Sequence, residues 1–336
     1  MKTNLTQAVS VAAATVLVAA LGFPARTSAT TIDLGLAGQY AVFGLGSAVD
    51  VGTTNTAEAN TANIYGNVAV GAQTTSPDAS GYGFFQKGFI QGDLVVDGSN
   101  TPATYEIVNK NFTVTGTVFG TTPANPGPNP NSVGTGTFDL APAVQDAIDR
   151  SVSYAVLSGT SLGDYAFGSG THTLAAGIYS ATSFDINSHT TFVINGSADD
   201  IFVMNVTGDF DFQKSYMQLT GGITSANVLF NVTGTGTAAK ITGDESEFFG
   251  TLLATYRDID IQGIGSGSGQ GVGAGNAGLE GRVIGALSTD GTTRLLNIYS
   301  GAEINQPASV PEPTFLLLFS SGLVGLGLWG RRRGRG

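Results

Sequence analysis

The sequence has no cysteine, two histidines, one tryptophan and only 12% charged residues among 336. Without cysteine there is no disulfide framework, no thiolate nucleophile and no cysteine-based zinc site. The histidines stand at positions 172 and 189, a separation that matches no helical ligand motif, and both read as solvent-facing strand or turn residues. Basic residues are also scarce. Six of the 14 (Lys2, Arg26, Arg331, Arg332, Arg333 and Arg335) lie in terminal segments; without them and Glu312, 8 basic and 24 acidic residues remain, a net charge of −16. Such a surface repels phosphate backbones, so nucleic acid is not an expected partner.

What is abundant is glycine, 49 residues in a chain that is 41% apolar. This composition points to a turn-rich β protein with ample material for a core. The expected organisation is one domain, residues 30–305, between a leader of 1–29 and a tail of 306–336.

The leader has the three parts of a secretory signal peptide: Lys2, the apolar run Ala8 to Leu21, and small residues ending at Ala29, where cleavage is expected. In the tail, Val310-Pro311-Glu312-Pro313 precedes an apolar stretch, 314–330, and then Arg331-Arg332-Arg333. The stretch is just long enough for a transmembrane helix, and the arginines would keep the C-terminus cytoplasmic, leaving the domain outside. This tail resembles the PEP-CTERM sorting signal of Gram-negative bacteria, in which an exosortase recognises the Pro-Glu-Pro motif. The resemblance implies signal peptidase and exosortase as processing partners, transient anchorage in the inner membrane, a secreted or cell-surface location, and a link to exopolysaccharide and biofilm.

Between the two ends the pattern is β. Runs such as Ile64 to Gly71, Gly92 to Val96 and Phe112 to Val118 are rich in Val, Ile, Tyr and Thr and bounded by Gly, Asn or Asp. Thr121 to Thr137 holds four prolines and reads as an extended loop without ladder pairing. A helix is expected from about Leu140 to Leu157, with Asp139 as N-cap and an apolar stripe of Val144, Ala147, Ile148, Val152 and Ala155. After it, apolar bursts fall into three sets of three. These are Phe184/Ile186, Phe192/Ile194 and Ile201 to Val206; Phe210/Phe212, Met217/Leu219 and Val228 to Val232; and Ile241, Phe248 to Leu253 and Ile259/Ile261. The grouping suggests three-sided stacked coils; antiparallel hairpins would refute it. Nine of the nineteen residues from Gly263 to Gly281 are glycine, which reads as a surface loop before a last strand, Arg282 to Leu287. The dinucleotide-like spacing Gly273 to Gly278 inside it lacks the strand-to-helix setting such a motif requires.

Ala37 to Phe43, Ile64 to Gly71, Leu174 to Tyr179, Asp200 to Val203, Ala226 to Phe230, Phe249 to Ala254 and Gly281 to Val283 resemble, in order, the ice-binding-like family DUF3494. The resemblance implies a mainly β fold: a right-handed, discontinuous β-solenoid (β-helix) with one long α-helix packed alongside. The 81–89 segment, the proline loop and the 263–278 loop look like insertions.

No catalytic constellation emerges. No Gly-x-Ser-x-Gly elbow stands in a strand-to-helix setting. The acidic pairs Asp199/Asp200, Asp209/Asp211 and Asp258/Asp260, with Asp244, Glu245 and Glu247, offer a structural calcium site or a glycosidase dyad on paper, but read as solvated turn edges. No cofactor is expected. Threonine arrays remain: Thr113/Thr115/Thr117, Thr171/Thr173 and Thr233/Thr235/Thr237. On a strand, residues two apart share a face, and stacked strands would extend each row into a lattice. Two functions follow. If that face is flat it holds ice; if it is irregular the domain is a non-enzymatic structural or adhesive part of an extracellular matrix.

Overall fold

The computed structural model describes residues 31–46, 48–53, 62–72, 87–98, 111–120, 130–133, 138–243, 246–263, 277–288, 294–299 and 301–307. Ala29, Val310 to Pro313, the apolar stretch 314–330 and Arg331 to Arg333 lie outside them. Among the described residues no helix is long and apolar enough to cross a membrane. Residues Thr31–Val310 form one compact unit.

Eight strands precede the helix: β1 (Val42–Gly44), β2 (Ala48–Thr53), β3 (Ala62–Tyr65), β4 (Val68–Val70), β5 (Lys87–Gln91), β6 (Leu94–Val96), β7 (Asn111–Phe119) and β8 (Pro130–Val133). Helix α1 (Ala141–Ala155) follows. Then come β9 (Thr160–Phe167), β10 (Thr171–Ala175), β11 (Gly177–Ile186), β12 (Thr191–Asn195), β13 (Phe202–Val206), β14 (Phe210–Gln213), β15 (Tyr216–Thr220) and β16 (Val228–Val232). The last six are β17 (Ala239–Thr242), β18 (Glu247–Ala254), β19 (Ile259–Gln262), β20 (Ala277–Gly285), β21 (Leu295–Tyr299) and β22 (Ala302–Asn305).

Every pairing among these strands is parallel, and none is a hairpin. The pairings make three ladders. The first runs β9, β11, β13, β16, β18, β20, β1, β4, β6, β7, β8. The second runs β9, β11, β14, β17, β19, β21, β2. The third runs β10, β12, β15, β18, β20, β22, β3, β5, β7. Spatial order therefore breaks chain order: the N-terminal strands stack beyond the C-terminal ones, where β20 meets β1, β21 meets β2 and β22 meets β3.

Alternation of side chains explains the core. In β12, Phe192 and Ile194 point inward and are fully buried, while Thr191, Val193 and Asn195 point outward. The later strands fill the interior with phenylalanine: Phe184 stacks on Phe210 at 5.2 Å, and Phe230 lies 5.0 Å from Phe248. Around β1 to β6 the filling is aliphatic, with Val49, Val51, Ile64, Val68 and Ile90 fully buried. Each such side chain contributes roughly 1.5–3 kcal/mol of burial. Corners between the third and first ladders are set by glycine, because a side chain there would overlap backbone: a methyl at Gly281 runs into the carbonyl of Gly250, at Gly92 into that of Gly66, and at Gly116 into that of Gly92.

The helix lies on the outer surface of the first ladder. Ala143 and Ala147 are buried against a row that includes Phe43, Ala69, Val95, Leu253 and Ile284. Fifteen residues span about 22 Å, between four and five inter-strand spacings of about 4.8 Å. The helix so bridges the point where N-terminal and C-terminal strands meet. At its start the Leu140 N–H donates to buried Asp97, at 2.7 Å.

Five sequence expectations change here. Helix α1 is shorter than Leu140 to Leu157; Leu140 occupies the N-cap, and Asp139 caps from one position earlier by accepting the Ala141 N–H. Its buried stripe is Ala143, Ala147 and Ser151, and Val152 is 58% exposed, because the helix is rotated to set Ser151 against polar partners. Ile259/Ile261 pair with Ala239/Ile241 in the second ladder, so they open the next tier instead of closing the third set. Within the proline-rich stretch, β8 pairs with β7; at the end of the stack Pro130 leaves no further strand without a donor. The last strand also starts earlier than Arg282, at Ala277, and β21 and β22 follow it.

Candidate binding faces

The first ladder is covered by α1 and by the segment 31–40, whose Leu34 and Ala37 are buried in the same cluster. The second and third ladders carry the exposed columns.

On the second ladder one outward column reads Ala166, Asp185, Asp211, Lys240, Asp260, Asn297, Asp50. Lys240 lies between two aspartates, and the Asn297 amide donates to Asp260 at 2.8 Å. Asp211 is raised above the ordinary aspartate value, by burial first and then by Asp185, with Lys240 opposing. Its Oδ1 is buried and has no hydrogen-bond partner among the described residues.

On the third ladder one column reads Thr171, Thr191, Tyr216, Glu247, Gly278, Glu303, Asn63, Phe89, Thr113. Hydroxyls occupy its ends; carboxylates, aromatic rings and an amide fill the middle. Burial lifts the Glu247 carboxyl above its ordinary value. The most regular portion is the three-strand sheet of β10, β12 and β15, paired in register over five residues at each step. Its remaining outward residues are Thr173, Val193, Gln218, Ala175, Asn195 and Thr220.

The six threonines expected to form a face are dispersed. Thr113 stands in the third-ladder column, Thr115 is exposed near the Gly116 corner, and the Thr117 N–H beyond it donates to Asp93. Thr233, Thr235 and Thr237 lie in the corner between β16 and β17, not on a strand. There Thr233 donates to the Val206 carbonyl, Thr237 donates to Asp209 at 2.6 Å, and Thr235 is exposed. The corner is held from beneath by Arg257, 1% exposed, whose guanidinium donates to the carbonyls of Thr207, Thr233 and Thr237. Burial lowers the Arg257 pKa, and the Asp209 carboxylate opposes that shift. The alternating Thr-Gly letters imitated a strand because spacing alone does not separate a strand from a corner. The visible clue was Arg257 itself, a rare basic residue inside an apolar run.

The histidines are also split. His189 sits in a turn at φ +65°, exposed, as expected. His172 does not face solvent fully: its ring stacks on Phe167 at 3.5 Å and its Nε2 meets the Ser169 carbonyl, closing the end of the stack. Several members of the acidic pairs bind separate partners. Asp200 accepts from the backbone and hydroxyl of Ser197, which lowers its pKa, and Asp258 accepts the Leu295 N–H. Asp244 and Glu245 lie outside the described residues, among which no cluster of three His, Asp or Glu side chains suits a metal ion.

A family model for an ice-binding-like adhesive domain matches residues 33–283, about three quarters of the chain. The chain belongs to the ice-binding-like adhesive domain family. The match takes in β1 through most of β20 and includes α1, while β21 and β22 lie past its end. Solved structures similar to this chain include the ice-binding protein LeIBP from an Arctic yeast, at 19% identity over 84% of this chain and 97% of that one, TM-score 0.44. The DUF3494 domain of a Shewanella frigidimarina ice-binding protein is similar at 13% identity over 84% and 100%, TM-score 0.49. The ice-binding protein of the Antarctic ascomycete Antarctomyces psychrotrophicus is similar at 15% over 83% and 100%, TM-score 0.46. No curated protein sequence matches.

Proposed function

We propose that the protein is a non-enzymatic extracellular adhesive, its three ladders forming the faces of a right-handed, discontinuous β-solenoid. On this reading it is exported through the leader ending at Ala29 and sorted through the Pro311-Glu312-Pro313 tail by an exosortase. It then acts in the exopolysaccharide matrix or at the surface of a Gram-negative cell. The observation that carries the adhesive reading is the third-ladder column, where Tyr216, Glu247, Glu303 and Phe89 interrupt the threonines. A carboxylate or a protruding ring breaks the repeat that a lattice of ordered water needs, whereas aromatic rings beside amide and carboxylate hydrogen-bonding groups suit glycan contacts. Deletion of the gene tests this: reduced flocs or biofilm, restored by the wild-type copy, is the expected result, and unchanged aggregation would defeat it.

Ice binding is the second reading, favoured by the in-register sheet of β10, β12 and β15 with Thr171, Thr173, Thr191 and Thr220 on its outer side. Thermal hysteresis or crystal shaping by the purified chain, abolished by Val193→Lys, would establish it over the adhesive reading.

A further inference from the structure

Where the N-terminal strands stack on the C-terminal ones, one corner is not closed by a continuous chain. After β22 the chain leaves through Gln306 and Pro307, and the strand that continues the first ladder, β1, is entered from Gln39 and Tyr40. The two passing segments are tied by the Gln306 side-chain amide donating to the Gln39 carbonyl at 3.1 Å. An open groove of about 670 Å³ runs along this seam, lined by residues that include Gln39, Tyr65, Asn67, Gln91, Arg282 and Gln306.

Three features of the groove point to a ligand. First, Arg282 is fixed by its Nε, which donates to the Gly38 carbonyl at 2.9 Å, and among the described residues no carboxylate pairs with it; the one ion pair there is Arg150 with Asp33. Burial lowers the Arg282 pKa. With its Nε held by a carbonyl, the rest of this partly buried guanidinium is left to meet a ligand, and its planar fork matches a carboxylate. Second, the side-chain amides of Gln39 and Gln91 are exposed and make no hydrogen bond to protein among the described residues, so both offer a donor and an acceptor. Third, the Tyr65 ring, held edge-on by Phe89 at 5.1 Å, gives an aromatic surface on one side. A ring, free amides and a guanidinium around one open groove suit a sugar ring, which presents hydroxyls on its edges and an apolar face.

We propose that this seam binds a saccharide bearing a carboxylate, with Arg282 on the carboxylate, Gln39 and Gln91 on hydroxyls, and Tyr65 against the apolar face of the sugar. The proposal deepens the adhesive reading and takes its biological setting from it. Its test uses purified protein, so its failure is seen separately from any biofilm result.

The experiment is calorimetric titration of the full-length chain, in mild detergent, with tetragalacturonate, its methyl ester and neutral cellotetraose. Tetragalacturonate is expected to bind, with the ester and the neutral tetramer at least about tenfold weaker. Arg282→Gln should lose at least about tenfold and Arg282→Lys rather less, since lysine keeps the charge but not the fork. Should Arg282→Gln fail to fold, Gln91→Ala, an exposed change expected to leave the melting temperature unaltered, still reads the site by a loss of about threefold or more. Equal binding of acid and ester, unchanged binding by folded Arg282 and Gln91 variants, or no binding at millimolar tetragalacturonate would each overturn the assignment.

Discussion

The Asn231 side-chain amide donates to the Asn205 carboxamide oxygen, at 2.8 Å, across two neighbouring strands of the first ladder, and both asparagines reach up to the helix. Asn231 donates to the Ser151 carbonyl and accepts from its hydroxyl, while Asn205 donates to the Tyr154 carbonyl. The Tyr154 carbonyl, in the last turn of α1, is thereby satisfied by a side chain from the sheet, and the Ser151 carbonyl gains a second donor. Replacing Asn231 with Leu should leave buried Ser151 without partners and cost about 1–3 kcal/mol. Urea unfolding measures it, with faster amide exchange confined to the last turn of α1; a loss below about 0.5 kcal/mol would show that the pair does not hold the helix.

Arg257 should matter more than any threonine above it. Arg257→Ala leaves the carbonyls of Thr207, Thr233 and Thr237 without their shared donor and should cost at least about 3 kcal/mol. Thr237→Ala, which removes one hydroxyl bond to Asp209, should cost about 1 kcal/mol, and exposed Thr235→Ala less than about 0.5. Equal losses for all three in thermal or urea melts would contradict the placement of these residues in a stapled corner.

Asp211 predicts a pH dependence. Its folded pKa is raised, so the native state holds more protons than the unfolded state between the ordinary value of 3.8 and the raised one. Stability from this group therefore falls as pH rises through that window. At neutral pH Asp211→Asn should melt higher than the parent, by a shift on the order of 1–2 °C. The advantage should shrink on acidification and vanish below the ordinary aspartate value. A variant that melts lower than the parent at neutral pH would mean that the pairing with Lys240 outweighs burial.

Two glycines should respond differently to alanine. Gly281→Ala drives a methyl into the Gly250 backbone, which no side-chain movement relieves, and should cost more than about 4 kcal/mol or prevent folding. Gly163 has φ +66° and nothing within contact range among the described residues, so Gly163→Ala should cost only the backbone strain, about 1–2 kcal/mol. Soluble yield and melting temperature compare the two; similar behaviour would argue against the packed corner.

Strand positions and much of the stacking were legible because Phe184, Phe210, Phe192 and Met217 recur at the length of one tier, and the burial of each repays its place. A second repeat was also on view, Gly66-Asn67-Val68, Gly92-Asp93-Leu94 and Gly116-Thr117-Val118. Its side chains bridge tiers: Asn67 accepts the Asp93 N–H and Asp93 accepts the Thr117 N–H. What could not be read was which strands meet across long gaps. Nothing in Val42 or Val283 announces that they pair, since one aliphatic strand fits another equally well. The candidate faces failed for a related reason: alternation shows which residues point outward, but only inter-strand register decides what stands beside Thr113 or Thr191.

The seam joining β20 to β1 carries a kinetic consequence. Arg282 binds the Gly38 carbonyl across 244 positions of sequence, and Val283 donates to the Ala41 carbonyl nearby. As the chain is synthesised, β1 can pair with β4 early, but its other edge has no neighbour until β20 is made, so that edge contact is a late, long-range step. The last strands act as a keystone: until they arrive, one edge each of β1, β2 and β3 stands unpaired.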